Sequence, residues 1–319
     1  VKLLVIDCGT TNCRMRLVDG DVIVQSVTKQ TGAKDVAITG NNDALRKALR
    51  ESYLELSAAH PKMVSSVEMI IASGMITSNM GLMEVPHIDG PVGRLTLARR
   101  LQLGSFPDIC PKPFLFVPGV KFMVHSDMIR GEEAEICGLL GKEEHGCQLI
   151  MHYGSHHKWI QVQGSSMKAC ITSISGELLM ALSEHTLLKN SLVPLDDVQI
   201  ELDWVRKGKE SERAFGAGRA LFSVRTMDIL HQQGKQAATN FLLGIIVSLD
   251  LAMLTEELTR GINRVVLYGR SLFPSIMAPM LHELNPDLPV TIVSEDESAR
   301  LSVYGAAELY TLYKEEITL

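Results

Sequence analysis

The sequence predicts an α/β protein of two related halves, each a mixed sheet flanked by helices, with a cleft between them. Three observations carry this. Residues 3–6 are a continuous apolar run ending at Asp7 and the small, hydroxyl-rich loop Gly9-Thr10-Thr11-Asn12. A strand, polar loop, strand, turn, strand pattern recurs from residue 148 onward. Elsewhere, helix-length amphipathic segments alternate with short apolar runs that end in glycine loops, as in crossover-connected sheets.

The first apolar run is long enough for a buried strand and too short for a helix. Gly9 lets the backbone approach an anion closely. Successive backbone N–H groups with the Thr10 and Thr11 hydroxyls make a phosphate cradle. Asp7, at the strand end, suits the hydrated Mg²⁺ that accompanies a nucleotide. Cys13, Met15 and Leu17 then alternate with Arg14, Arg16 and Val18 in a second strand. Asp19-Gly20 is a tight-turn signal, and residues 21–27 read as a third strand. Taken alone, this opening fits an ordinary hairpin edge equally well.

The second copy breaks the tie. Residues 148–152 suit a strand, Gly154-Ser155-His156-His157 a polar loop, residues 158–162 a strand, Gly164-Ser165 a turn and residues 166–171 a third strand. Gly9 and Gly154, and Gly20 and Gly164, hold matching places. Repeated units take priority in reading a fold. Two halves with one such loop each suggest a single nucleotide clamped between related domains, 1–141 and 142–319, with the boundary in the polar connector Lys142, Glu143, Glu144 and His145.

Between the copies, residues 43–59 have helical spacing, with Leu45, Ala48, Leu49, Tyr53 and Leu56 on one face and Asn42 or Asp43 as cap. Residues 67–72 read as a buried strand running into a Gly/Ser/Asn loop, where α/β proteins hold ligands. That loop and the segment from Glu84 to His87 are read as a substrate-pocket wall; a plain connecting loop is the alternative. Residues 114–117 form one more strand. A helix capped by Ser126 or Asp127 reaches Gly141, its apolar face made by Ile136, Leu139 and Leu140. Asp127, Glu132 and Glu133 lie at or near its start, where the macrodipole favours a carboxylate. A base held there is expected to be ionised at neutral pH; dipole and cap stabilisation alone is the competing reading.

After the second copy, residues 176–188 and 215–230 look helical. Residues 237–258 form a long, mostly apolar helix, whose face from Phe241 serves either as core or as a dimer seam. Residues 265–271 are a buried strand ending in the Gly269 loop; helix 274–284, strand 290–293 and helix 302–314 close the chain. The Gly269 turn is read as covering a purine face.

Composition fits this picture. The chain has 319 residues, 46% hydrophobic and 21% charged, as in a folded globular protein. A net charge of −6 without a basic cluster argues against a nucleic-acid surface. The six cysteines form no C-x-x-C pair, so a metal ribbon is unsupported and a reducing, cytoplasmic location is expected. The opening residues read as a core strand, not a signal peptide, and no eighteen-residue apolar run suggests a membrane span. Gly216-Ala217-Gly218 follows no clear strand and is rejected as a dinucleotide fingerprint. His152, His156 and His157 lack carboxylate or cysteine partners at a familiar metal spacing.

The loop from Asp7 to Arg14 resembles the first phosphate motif of the actin, hexokinase and sugar-kinase superfamily. More narrowly, the chain resembles the 2-dehydro-3-deoxygalactonokinases. Supporting stretches are Ser73-Gly-Met-Ile-Thr-Ser-Asn79, Glu84-Val-Pro86, Asp127-Met-Ile-Arg-Gly-Glu-Glu133, Gly154-Ser-His-His-Lys-Trp159, Ser175-Gly-Glu-Leu178 and Leu221-Phe-Ser-Val-Arg225. Cys8 stands where tryptophan is usual, Tyr153 for proline, Ser155 for threonine and His157 for a smaller polar residue. The resemblance implies two ribonuclease H-like, actin-like domains and ATP-dependent phosphorylation of 2-dehydro-3-deoxy-D-galactonate at its terminal hydroxyl. It implies that Gly9, Thr10, Thr11 and Asn12 hold phosphates from one side and Gly154, Ser155 and Lys158 from the other, while Asp7 orients Mg²⁺. Glu132 is the preferred base, with Glu133 and Asp127 as rivals. Ser78, Asn79 and Glu84 are candidates for the sugar hydroxyls and Arg130 for the acid group. A kinase for a different sugar acid and a non-catalytic sugar sensor are the alternatives.

Overall fold

The computed structural model describes residues 1–141, 146–231 and 233–318. The expected connector, Lys142 to His145, lies outside the described residues. The chain opens with strands β1 (Lys2–Cys8), β2 (Cys13–Asp19) and β3 (Val22–Lys29), followed by helices α1 (Ala33–Thr39), α2 (Asp43–Ala59) and α3 (Pro61–Ser65). Strand β4 (Met69–Gly74) comes next, then the short β5 (Ile88–Asp89) and β6 (Val92–Gly93), α4 (Arg94–Ala98), β7 (Gln102–Ser105) and β8 (Pro113–Phe116). Strands β9 (Val120–Phe122) and β10 (Asp127–Ile129) lead into α5 (Glu132–Leu140). The repeat supplies β11 (Cys147–Tyr153), β12 (His157–Gln163) and β13 (Ser166–Ser173). Helices α6 (Ser175–His185), α7 (Leu202–Phe215), α8 (Ala217–His231), α9 (Gly234–Leu251) and α10 (Glu256–Thr259) follow. The chain then runs through β14 (Arg264–Gly269), α11 (Leu272–Leu284), β15 (Val290–Ile292), α12 (Glu295–Ser298) and α13 (Leu301–Thr318).

The chain divides into two compact units. The first comprises Val1–Gly146, Val162–Ala169 and Asp296–Leu319, the second Cys147–Gln161 and Cys170–Glu295. Within the first unit α13 packs against α5 so closely that Gly138 and Gly305 are required. A Cβ on Gly305 would lie 1.7 Å from the Ala134 carbonyl oxygen, and one on Gly138 would lie 2.2 Å from that of Leu301.

In the first unit a six-stranded sheet runs β3-β2-β1-β4-β8-β7. The β1–β2 pair is antiparallel, and β1–β4 and β4–β8 are parallel. Leu4, Ile6, Met15, Leu17, Ile70, Phe114 and Phe116 fill its core with Leu45, Leu49 and Leu56 of α2, because alternate strand residues point to one face. A small sheet, β10-β9-β5, stands beside it in sequence. In the second six-stranded sheet the order β13-β12-β11-β14-β15 repeats the order β3-β2-β1-β4-β8, with β11–β14 and β14–β15 again parallel. The α/β class with two related mixed sheets flanked by helices is thus as the sequence implies.

Two expected elements differ. The acidic helix begins at Glu132, not at residue 126 or 127, since Asp127 pairs with Phe122 in β10. Gly131, at φ +115°, turns the chain from that strand into the helix. The long apolar helix ends at Leu251, short of 258, and its residues from Phe241 to Val247 are buried within the second unit. They are core, not a seam.

Candidate active site

Strand β1 delivers the first loop. The Gly9 amide donates to the Asn12 carbonyl at 2.8 Å and closes it. At the start of α1, the Ala33 amide donates to the Gly9 carbonyl (3.3 Å) and the Lys34 amide to that of Thr10 (2.9 Å). Gly32 makes this approach possible, since a Cβ there would lie 2.5 Å from the Thr10 oxygen. With both carbonyls turned toward α1, planar trans peptides turn the Thr10 and Thr11 amides the opposite way. Those amides and two exposed threonine hydroxyls are donors of the kind that can cradle an anion. Asp7 is partly exposed, 3.7 Å from the Arg14 guanidinium, and is the register partner of Ser73 on β4. The Ser73 Oγ is buried, with no hydrogen-bond partner among the described residues.

Glycine contacts carry the acidic helix start to the same place. Gly74, at φ +86°, ends β4 so close to β1 that a Cβ would lie 2.5 Å from the Cys8 oxygen; a Cβ on Gly131 would lie 3.3 Å from Gly74 Cα. The end of β1, the end of β4 and the N-terminus of α5 therefore converge within the first unit. Glu132 is half-buried, and its Oε2 accepts the Arg130 amide at 2.9 Å. Glu133 is fully buried, both its carboxyl oxygens facing the Gly131 amide at 2.9 and 2.8 Å. Burial, then the neighbouring Glu132 charge, pushes its pKa up to about 8, against the pull of the Gly131 and Glu133 amides and Arg130. The expectation of an ionised base at this helix start fails for Glu133, because desolvation outweighs the dipole. Asp127 is set apart on β10, where its Oδ1 accepts the Met128 amide.

Arg130 is half-buried and fastens the loop after β4. Its Nη1 donates to the carbonyl (2.6 Å) and the hydroxyl of Thr77, and its Nη2 to the Val85 carbonyl (3.2 Å) and the His87 ring (3.0 Å). Burial, then Arg130 and Lys121, holds the His87 pKa below its ordinary value, which suits an accepting, neutral ring. The guanidinium thus faces protein groups, whereas the sequence suggested a substrate carboxylate. Ser78 is buried and spends its hydroxyl on the Met75 carbonyl (2.8 Å) and the Met80 amide (3.2 Å). Asn79 and Glu84 are exposed on the loop that Arg130 fixes.

The second unit repeats the cradle. The Glu177 amide, in the first turn of α6, donates to the Ser155 carbonyl at 2.7 Å. Gly176 plays the part of Gly32: a Cβ would lie 2.3 Å from the Gly154 oxygen and 2.7 Å from that of Ser155. Gly269, at φ +115°, plays the part of Gly74, with a Cβ 2.4 Å from the Tyr153 oxygen. A pocket of about 710 Å³ opens here, with Gly154 and Gly176 in its wall, an apolar side including Leu179, Met180 and Ile200, and Ser271 and Glu295. The Glu295 Oε1 accepts the Ser271 amide at 3.0 Å, and the hydrogen bonds from Ser271 hold its pKa below the ordinary value. Lys158 is not in this wall; it is buried, and its Nζ donates to the Thr172 hydroxyl at 3.1 Å.

Sequence reasoning missed Glu295 and the buried Asp250, which bonds His157 at 2.6 Å. The signal for Asp250 was present as a lone acid in the run Phe241-Leu-Leu-Gly-Ile-Ile-Val-Ser-Leu-Asp250. Among the described residues no three His, Cys, Asp or Glu groups gather to hold a metal.

The family model described as 2-keto-3-deoxy-galactonokinase matches residues 7–306. The chain is 25% identical over 310 residues to the Rhizobium meliloti "Probable 2-dehydro-3-deoxygalactonokinase DgoK1", covering 95% of each. It is 24% identical over 285 residues to the 2-dehydro-3-deoxygalactonokinase of Escherichia coli, covering 85% of this chain and 86% of the other. A crystal structure of a Sinorhizobium meliloti protein assigned as a 2-dehydro-3-deoxygalactonokinase shares the fold. Its TM-score is 0.74 at 23% identity, with 97% of this chain and 99% of that one covered.

Proposed function

Because the chain belongs to the 2-keto-3-deoxy-galactonokinase family, we propose that it transfers the γ-phosphoryl group of ATP to the 6-hydroxyl of 2-dehydro-3-deoxy-D-galactonate, in galactonate breakdown. One observation carries the residue assignment: glycine contacts at Gly74 and Gly131 bring Glu132 to the strand end that bears Asp7 and the Gly9–Asn12 cradle. Glu132 accepts the proton of the sugar hydroxyl. Its rivals are weaker, since Glu133 is sealed from solvent and holds its proton up to about pH 8, and Asp127 sits on a separate strand.

Phosphoryl transfer is mostly positioning and charge neutralisation. The amides and hydroxyls of Thr10 and Thr11 are the phosphate-binding groups of the first unit, and the Gly154–Ser155 loop is that of the second. Asp7 orients Mg²⁺, which when bound neutralises charge on the phosphate oxygens. In the second unit the apolar wall at Leu179, Met180 and Ile200 receives the base, backed by the Gly269 turn, and the ionised Glu295 meets the ribose hydroxyls. Asn79 and Glu84 meet sugar hydroxyls on a loop that Arg130 holds in place. These roles assign the phosphate loop and sugar site to 1–141 and the nucleotide site to 142–319. A cytoplasmic enzyme is in keeping with six cysteines that form no C-x-x-C pair; no described helix is long and apolar enough to cross a membrane.

The test is ATP consumption by the purified protein with Mg²⁺, offering the galactonate substrate, its gluconate epimer and plain hexoses. Turnover with the galactonate compound is expected. Glu132→Ala is expected to lower kcat by about 10²–10⁴, the usual worth of a general base, with ATP affinity unchanged. Equal loss of ATP affinity and kcat refutes the base assignment; turnover only with another acid reassigns the acceptor.

A further inference from the structure

Asp250 is fully buried on α9, and its carboxylate bonds groups in the frame of the second loop. Its Oδ2 accepts from His157 Nδ1 at 2.6 Å. Its Oδ1 accepts from the hydroxyls of Ser173 (2.9 Å) and Ser175 (2.6 Å). Its main-chain oxygen accepts from Trp159 Nε1 at 3.2 Å. A buried carboxylate needs such donors, and losing one is costly. These donors come from two stretches. His157 directly follows the Gly154 loop, and Ser173 and Ser175 flank the start of α6, one residue before Gly176.

The imidazole is fixed on its other sides as well. Its ring stands edge-on to Tyr153 (centroids 4.9 Å apart) and to Phe273 (4.4 Å), and those two rings stack on each other at 5.4 Å. Phe273 also lines the nucleotide pocket. His157 Nε2 is buried without a hydrogen-bond partner among the described residues. It faces the crowded point over Gly176, 3.1 Å from where a Cβ would be. One carboxylate–imidazole unit therefore sets where the loop after β11, the first turn of α6 and the start of α11 stand.

We propose that Asp250 and His157 are positioning residues that fix the spacing between the Gly154–Ser155 loop and the first turn of α6, and so set the affinity for the nucleotide polyphosphate. This rests on the reading of that pocket as the ATP site. Neither residue touches the nucleotide. The clamp predicts a selective effect: nucleotide binding changes, while the sugar site of the first unit does not.

The experiment uses the full chain and measures the Kd of a non-hydrolysable ATP analogue by calorimetry, together with kcat and both KM values. His157→Leu removes the donor to Asp250 while filling most of the ring's space. It is expected to raise the analogue Kd and the KM for ATP about 10- to 100-fold, the worth of one hydrogen bond to a buried charge. The sugar KM should stay within about twofold. His157→Asn, whose amide N–H takes the place of Nδ1–H, should recover most of the loss. Ser175→Ala removes another donor with little change in volume and serves should the leucine variant fail to fold; it should raise the KM for ATP in the same direction. An unchanged analogue Kd in these variants overturns the clamp, as does an equal loss at both substrates. A wild-type protein that turns over sugar acid but binds the analogue elsewhere than this pocket, judged by an unchanged Kd in Ile200→Arg, overturns the site reading instead.

Discussion

Glu133 offers a measurement in which sign and size both follow from geometry. Its carboxyl is fully buried at the N-terminus of α5 and keeps its proton up to about pH 8, against an ordinary value of 4.5. Between those two values the unfolded chain has released a proton that the native state retains. The native state therefore binds more protons, and stability falls as pH rises through the window from 4.5 to about 8. At about 1.4 kcal/mol per pKa unit, the full loss approaches roughly 5 kcal/mol. Glu133→Gln keeps the shape and an oxygen for the Gly131 amide but cannot ionise. Relative to wild type, the glutamine protein should thus gain stability steadily from pH 5 to pH 8 and level off beyond. Urea unfolding followed by circular dichroism at several pH values, with hydrogen exchange of the α5 amides as a local probe, reads the difference. Parallel stability–pH curves for the two proteins would refute the argument. They would mean that Glu133 ionises in place, and its exclusion as the base would go with it.

Two further outcomes are expected. Arg130→Lys replaces a fork that spans Thr77, Val85 and His87 with a single point charge, so the loop bearing Asn79 and Glu84 should loosen. We expect the sugar-acid KM to rise about tenfold with the Kd for an ATP analogue unchanged, measured by steady-state kinetics and calorimetry. Gly305→Ala forces a Cβ into backbone at 1.7 Å. It should destabilise the first unit by about 3 kcal/mol, the upper end of overpacking costs, visible as a lower melting temperature.

Much of this fold is legible because it is written in local pattern. The helix at Asp43–Ala59 follows from its apolar spacing, and the hairpin at Gly20 from a two-residue turn that needs φ +60°. The start of the acidic helix is not legible because Met128 and Ile129 continue its apolar rhythm, and only the pairing of Asp127 with Phe122 assigns them to a strand. Long-range partners are likewise silent in sequence. Nothing local announces that Arg130 spends its donors on Thr77 and Val85, or that Lys158 turns to Thr172. The grouping of α13 with α5 depends on glycines at 138 and 305 that read, in isolation, as mere helix weak points.

The repeat runs deeper than the strands that revealed it. In each half the last residue of the first strand meets a glycine with positive φ on its parallel neighbour, Cys8 with Gly74 and Tyr153 with Gly269. In each half a second glycine lets a helix start press against the loop carbonyls, Gly32 against Gly9 and Thr10, and Gly176 against Gly154 and Ser155. The same backbone geometry thus turns loop amides away from a helix start twice, once in each unit. What differs is the chemistry attached to the frame. Beyond Gly74 the first half packs Gly131 and the acids of α5. Beyond Gly269 the second half carries Ser271, Phe273 and Glu295 around a partly apolar pocket. A repeated frame with divergent attachments explains why glycine spacing is legible in both halves, while the side chains that differ between them are read only from the structure.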